Sequence, residues 1–189
     1  MTQIIMGDDG RYAITFVKDD GGRAEAGFKG SAGDCVTRAI AIASGISYRT
    51  VYADMAFGMA RRGKSRSARE GVHKSVYRPY LEETLGWEWH PTMSIGSGCR
   101  IHLREIELPM GRLVVRLSRH IAAVIDGVLH DTYDCSRGGT RCVYGYWKQP
   151  APRPLIEVLN DGLDSGLPSN LGRLGDGHDP EGEPNDGSA

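Results

Sequence analysis

One segment, Ser118-Arg-His-Ile-Ala-Ala-Val-Ile-Asp-Gly-Val-Leu-His-Asp-Thr-Tyr-Asp134, limits the possible folds more than any other. An Asp-Gly pair between two runs of alternating apolar residues is a strong signal for a β-hairpin with a two-residue turn. With the turn at Asp126-Gly127, Ile125 faces Val128, Ala122 faces Asp131 and His120 faces Tyr133. Successive side chains on a strand point to opposite faces. His120, Ala122 and Val124 therefore share a face with Leu129, Asp131 and Tyr133. On that face His120 and Asp131 are diagonal neighbours within hydrogen-bonding reach. His130 and Asp134 fall on the opposite face, so the register singles out one His/Asp pair among six histidines and 24 acids.

The same period of two recurs over residues 113–117 and 142–147, whereas the chain before it is helical in pattern. Val36, Ala39, Ile40 and Ala43 repeat at helical spacing between Asp34, a candidate N-cap, and Gly45, a stop signal. A second helix is expected after Ser47, with Val51, Tyr52, Met55 and Met59 inward and an end by Gly63. Residues 72–85 suit a third, stopped by Gly86 and kinked or divided at Pro79. Residues 11–18 read as a strand, and 23–28 as its return after the turn chemistry of Asp19-Asp20-Gly21-Gly22. The stretch 87–99 is irregular. Helices first and strands afterwards predict an α+β domain, with N-terminal helices packed on an antiparallel β-sheet.

Charge divides the chain. Residues 161–189 carry seven acids, one base (Arg173), seven glycines and three prolines, which leaves 22 bases against 17 acids in residues 1–160. Such a segment buries too little apolar surface to offset chain entropy, and we expect a disordered tail after a domain of residues 1–160. Gln149-Pro-Ala-Pro-Arg-Pro154 is a stiff exit, after which residues 155–159 could dock. No apolar run approaches the length of a membrane span, and the N-terminus lacks the pattern of a signal peptide. Four cysteines (Cys35, Cys99, Cys135, Cys142) without a C-x-x-C pair argue against a disulfide scaffold or a zinc site. A cytoplasmic chain with reduced thiols and no metal or other cofactor is the expectation.

A His/Asp pair needs a nucleophile, and Cys35 suits it. A thiol in the first turn of a helix sits at the positive end of the helix dipole, which favours thiolate. An imidazolium beside it lowers its pKa further, and an acid on the other ring nitrogen fixes the tautomer.

Gly33-Asp34-Cys35-Val-Thr-Arg-Ala opening a helix, the order Cys…His…Asp, and His120-Ile-Ala-Ala-Val-Ile-Asp-Gly followed by Asp131 together resemble the papain-like cysteine peptidase superfamily. The likeness is to the compact form of small bacterial and phage proteins, over about residues 30–148. It implies a nucleophile on the first core helix and a His and Asp on adjacent antiparallel strands, here Cys35, His120 and Asp131. It also implies a thiol hydrolase or peptidase acting on a peptide or protein substrate through an acyl-enzyme. Two departures stand out. Lys29 occupies the position of the family's oxyanion glutamine, and the tryptophan that often follows the cysteine is missing. The oxyanion hole would then rest on the Cys35 N–H and a donor that the sequence does not identify.

A competing reading is a catalytically inactive papain-like binding module. Arg61, Arg62, Lys64, Arg66 and Arg69, extended by Lys74 and Arg78, form a basic run able to hold nucleic acid or an acidic partner, the acidic tail included. A solvated loop is the plainer explanation, because near-neutral overall charge gives no global attraction to nucleic acid. Cys99, Cys135 and Cys142 read as inert thiols; Cys135 and Cys142 flank a glycine turn and could pair, although no ligand spacing supports a metal. Trp87, Trp89 and Trp147 read as packing residues.

Overall fold

The computed structural model describes residues 13–63 and 67–151. Within them the chain is α+β, with helices laid on a six-stranded sheet. Helix α1 (Cys35–Ser44) ends at Gly45, whose φ of 74° and N–H bond to the Ala41 carbonyl (2.9 Å) form a left-handed stop that glycine adopts without strain. Periodicity marks one inner face, yet every residue from Val36 to Ala43 is buried, Thr37 and Arg38 included. The cause is double coverage. One side of α1 lies on the sheet and another against α2 (Tyr48–Arg61), so the whole circumference is inside.

The Ser47 hydroxyl caps α2 by accepting the Thr50 N–H (3.2 Å), and Tyr48, Val51, Met55 and Met59 form its buried stripe. Helix α3 (Lys74–Pro79) continues through its proline into a wider turn, Tyr80–Thr84. There the Leu85 N–H reaches back five residues to the Tyr80 carbonyl (3.0 Å). This π-winding is how the chain accommodates a residue with no N–H to donate.

The strands are β1 (Thr15–Lys18), β2 (Glu88–Pro91), β3 (Arg112–Leu117), β4 (His120–Ile125), β5 (Val128–Asp131) and β6 (Val143–Lys148), in the order β1-β5-β4-β3-β6-β2. The predicted hairpin is present. Asp126 (φ 48°) and Gly127 (φ 78°) both have positive φ, as a tight primed turn requires, and Ile125, Val124 and Ala123 pair with Val128, Leu129 and His130.

The expectation of an antiparallel sheet is corrected: the sheet is mixed, because β1 runs parallel to β5 with Thr15 opposite Val128 and Lys18 opposite Asp131. Residues 23–28 do not return as a strand. The carboxylates of Asp19 and Asp20 accept the N–H groups of Gly21 (2.8 Å), Gly22 (3.0 Å) and Ala24 (2.9 Å) and wind this stretch into successive turns. β1 takes the open edge of β5 instead.

Both faces of the sheet are covered. Val114, Ile121, Ala123 and Trp147 pack with the helices, while Leu113, Val115, Ala122, Val124 and Leu129 pack on the other side with Ile14, Leu103 and Leu108. Trp87 and Trp147 are buried, and Trp89 stacks at 4.3 Å on Trp147, as packing residues should. Strand β2 lies in the stretch that reads as irregular, its four residues being too short to show an alternation. Glycine is needed at 145, opposite Arg116, because a Cβ there would collide with the Trp89 indole.

The expectation of four reduced thiols is also corrected. Cys99 and Cys142 are joined in a disulfide, and Cys142 therefore makes no pair with Cys135. Backbone bonds from Val143 to Ile101 (2.8 Å) and from Leu103 to Arg141 (2.8 Å) lay the two chains side by side and bring these cysteines together across 43 residues. Among the described residues no helix is long and apolar enough to cross a membrane. Residues 155–159 and the acidic stretch 161–189 lie outside the described residues.

Candidate active site

Cys35 is the first residue of α1 and is half-buried, so its sulfur stands at the helix's electropositive end. Asp34 before it has no side-chain capping bond, contrary to the sequence expectation. Its carboxylate turns inward and is fully buried. There it accepts from Arg23 Nε (2.9 Å), from the Tyr48 hydroxyl (2.5 Å) and from Arg38, one helical turn on. A buried carboxylate is tolerated only with such partners. Arg38 is itself buried, and its second terminal nitrogen lies 3.7 Å from Asp131 Oδ1. A line of alternating charge thus joins the residue preceding Cys35 to the acid on β5.

His120 opens β4 and Asp131 closes β5, so both stand at the same end of the sheet. Strand alternation groups them with Ala122, Val124 and Leu129, whose side chains pack on the face away from α1. Because both are terminal residues, the first turn of α1 meets them at the sheet's end. His120 Nε2 and Asp131 Oδ2 are 2.5 Å apart, and Asp131 Oδ1 accepts the Thr132 N–H (2.7 Å). The imidazole shares the cleft wall with the Cys35 sulfur and interacts with it electrostatically. Tyr133, the predicted partner across the hairpin, stacks obliquely on His120 at 5.5 Å. The three residues singled out from sequence are together.

Burial alone would raise the Cys35 pKa. The hydrogen bond and positive charge of His120, the Ile121 N–H and the Arg38 guanidinium outweigh it, and the thiol is lowered below its ordinary value. Burial likewise works against the charged form of His120, but hydrogen bonds to Asp131, Cys135 and Cys35 prevail and push it up to about 12. Asp131 is lowered, against its own burial, by the hydrogen bond and charge of His120. Both shifts favour the thiolate–imidazolium form of the pair, with a carboxylate behind it.

This pair opens on a cleft of about 430 Å³, whose wall includes Tyr77, Arg116, Ser118, Arg119 and Tyr144 besides Cys35 and His120. None of these five stands out in the sequence. Tyr144 reaches the cleft through a bulge: Arg116 pairs with Gly145 and Leu117 with Val143, which leaves Tyr144 as the extra residue. Tyr77 is held edge-on against Trp147 (5.7 Å), and its phenol is within electrostatic range of Cys35 and Arg116. A larger cleft of about 680 Å³ at the opposite end of α1 contains a His130–Asp19 contact (3.2 Å), but no cysteine lines it.

Cys135, which reads from sequence as inert, is buried beside the same imidazole. Donor atoms of His120, Asp131 and Cys135 lie within 4.8 Å of one another, a spacing that could hold a metal ion. The imidazole–carboxylate bond and the neighbouring Arg38 guanidinium already engage the Asp131 oxygens, which favours a proton relay over a cation site.

The basic run does not assemble at the cleft. Arg61 and Arg62 are exposed at the end of α2, Arg61 lying over the Phe57 ring (5.9 Å). Arg69 donates to the carbonyls of Lys29 (3.0 Å) and Ser31 (3.4 Å), and so ties down the loop before Cys35. Lys64 and Arg66 lie outside the described residues. Lys29 is exposed and is not on the cleft wall. Comparison of the chain with protein-family models, with curated proteins and with solved structures gives no match in any of the three.

Proposed function

We propose that the chain is a thiol hydrolase of papain-like type, cleaving a peptide or amide bond through an acyl-enzyme on Cys35. The observation that carries this reading is one imidazole bound to a carboxylate at 2.5 Å and sharing the wall of an open cleft with a sulfur at a helix N-terminus. In this mechanism the Cys35 thiolate attacks the carbonyl carbon and the π electrons move onto oxygen. His120, charged at the start, gives its proton to the leaving nitrogen from Nδ1, the ring nitrogen not engaged by Asp131. The C–N bond breaks and leaves a thioester. Neutral His120 then takes a proton from water, the hydroxide adds to the thioester, and Cys35 departs as thiolate. Asp131 orients the ring and stabilises its charge throughout.

Oxyanion stabilisation falls to the Cys35 N–H and, as the second donor, the Tyr77 phenol, since Lys29 is away from the cleft. Tyr77→Phe keeps the ring that packs on Trp147 and removes the donor. It is expected to lower kcat by about tenfold to a hundredfold, in line with loss of one oxyanion donor. The test of the whole reading is a fluorogenic peptide library incubated with the full chain, with acyl-enzyme trapped by acid quench and located by mass. A thioester on Cys35 that is missing in His120→Ala supports hydrolysis. Turnover that survives Cys35→Ala refutes it.

A further inference from the structure

The buried arginines of this protein reach acceptors, Arg38 at Asp34 and Arg104 at the Gly139 carbonyl (2.7 Å), and the half-buried Arg23 reaches Asp34 as well. Arg116 is the exception. It is half-buried on β3, between Ile121 on β4 and Gly145 on β6, and it faces the cleft that holds Cys35 and His120. It makes no hydrogen bond or ion pair with any described residue. Its guanidinium is left free to take a fork-shaped partner from the cleft, and a ligand carboxylate is that partner.

A second observation comes from the β3–β4 turn. Arg119, on the same wall and next to His120, is held at φ 55°, where glycine would sit without strain. A charged side chain kept in a glycine conformation at the mouth of a cleft points to work done by that side chain. Glu70 also lines the cleft and makes no ion pair with either arginine.

We propose that Arg116 and Arg119 form a carboxylate-binding subsite beside Cys35, so that the preferred substrate carries a carboxylate next to the scissile amide. This rests on the thiol-hydrolase reading for the word substrate, but the anion site itself is tested independently. The carboxylate could be an acidic side chain or a free chain terminus, and the chemistry is the same.

Iodoacetate and iodoacetamide separate the two questions. Both put the same carbon on sulfur: Sγ attacks the methylene, the S–C bond forms and iodide leaves with the C–I electron pair. Only one carries a carboxylate. Rate constants at Cys35, read by mass mapping on the full chain, give a ratio in which thiolate reactivity cancels. That ratio is expected to fall about tenfold in Arg116→Gln/Arg119→Gly, the scale of one charge-assisted contact, and to be largely kept in Arg116→Lys. An unchanged ratio in the double variant overturns the subsite. If Cys35 reacts no faster than an unfolded-chain thiol with either reagent while the ratio still depends on the arginines, the subsite stands and the hydrolase reading falls. Protection of Cys35 from iodoacetamide by N-acetylglycine supports the subsite with a chain terminus as its source, and protection by N-acetylaspartate α-amide supports it with an acidic side chain. Protection by neither at high millimolar concentration counts against the subsite.

Discussion

Cys35 and Cys135 both interact with the His120 imidazole, yet the thiol of one is lowered and that of the other is raised. For both, burial is the largest influence and opposes ionisation. Cys35 has more than His120 to offset it, because the Ile121 N–H and the Arg38 guanidinium also favour its thiolate. Cys135 has the Asp131 carboxylate as a further neighbour, which repels a thiolate, and its pKa is raised. A nearby histidine is therefore necessary but not sufficient to favour a thiolate. Each thiol has a guanidinium neighbour, Arg38 or Arg141, and what differs is the Ile121 N–H beside Cys35 against the Asp131 carboxylate beside Cys135.

The largest test of this contrast is selective alkylation. At about pH 6.5, iodoacetamide should modify Cys35 and leave Cys135 untouched, and Cys35→Ala should remove most of the labelling, because the two thiols are shifted in opposite directions. Equal modification of the two thiols would erase the distinction.

Next in size is His120→Ala. It removes the hydrogen bond and charge that favour the thiolate while leaving the burial that opposes it. The pH midpoint of Cys35 alkylation should therefore move up past the ordinary thiol value of 9.0, read from rate–pH profiles of the two proteins.

Asp131→Asn probes the acid that sets the two thiols apart. His120's raised pKa contributes stability fully below 6.5, fading as pH rises toward about 12. Asp131's lowered pKa contributes stability above 3.8, lost as pH falls through its folded value. The wild-type advantage in urea unfolding should be widest between pH 3.8 and 6.5, at about 3 kcal/mol for a buried pair broken on one side. The smallest effect belongs to Cys135→Ala, expected to change Cys35 alkylation less than about twofold and to cost about 1 kcal/mol of stability through lost packing.

What could be read from sequence was local. The hairpin register needed only turn chemistry and alternation, and it placed His120 on Asp131 correctly. Gly33-Asp34 and Gly45 bounded α1 and put Cys35 in its first turn. The rest depends on pairings across the chain. The parallel docking of β1 follows from two carboxylates bending residues 19–24 into turns, so that no returning strand is available. The inward turn of Asp34 depends on Arg23 and Tyr48, and burial of Arg38 on a helix covered from both sides. Tyr144 enters the cleft through a one-residue bulge, and Arg116 interrupts the apolar run of β3. Neither leaves a periodic trace.

The Arg38 bridge between Asp34 and Asp131 has a bearing on when the sulfur becomes dangerous to its surroundings. Cys35, His120 and Asp131 come from two stretches that meet only when α1 seats on the sheet, and His120 and Ile121, which help lower the Cys35 thiol, belong to that seating. A nascent, nicked or heat-unfolded chain carries an unremarkable cysteine. In the proposed hydrolase, reactivity would be conferred by completion of the fold, which would make the chain its own safety catch.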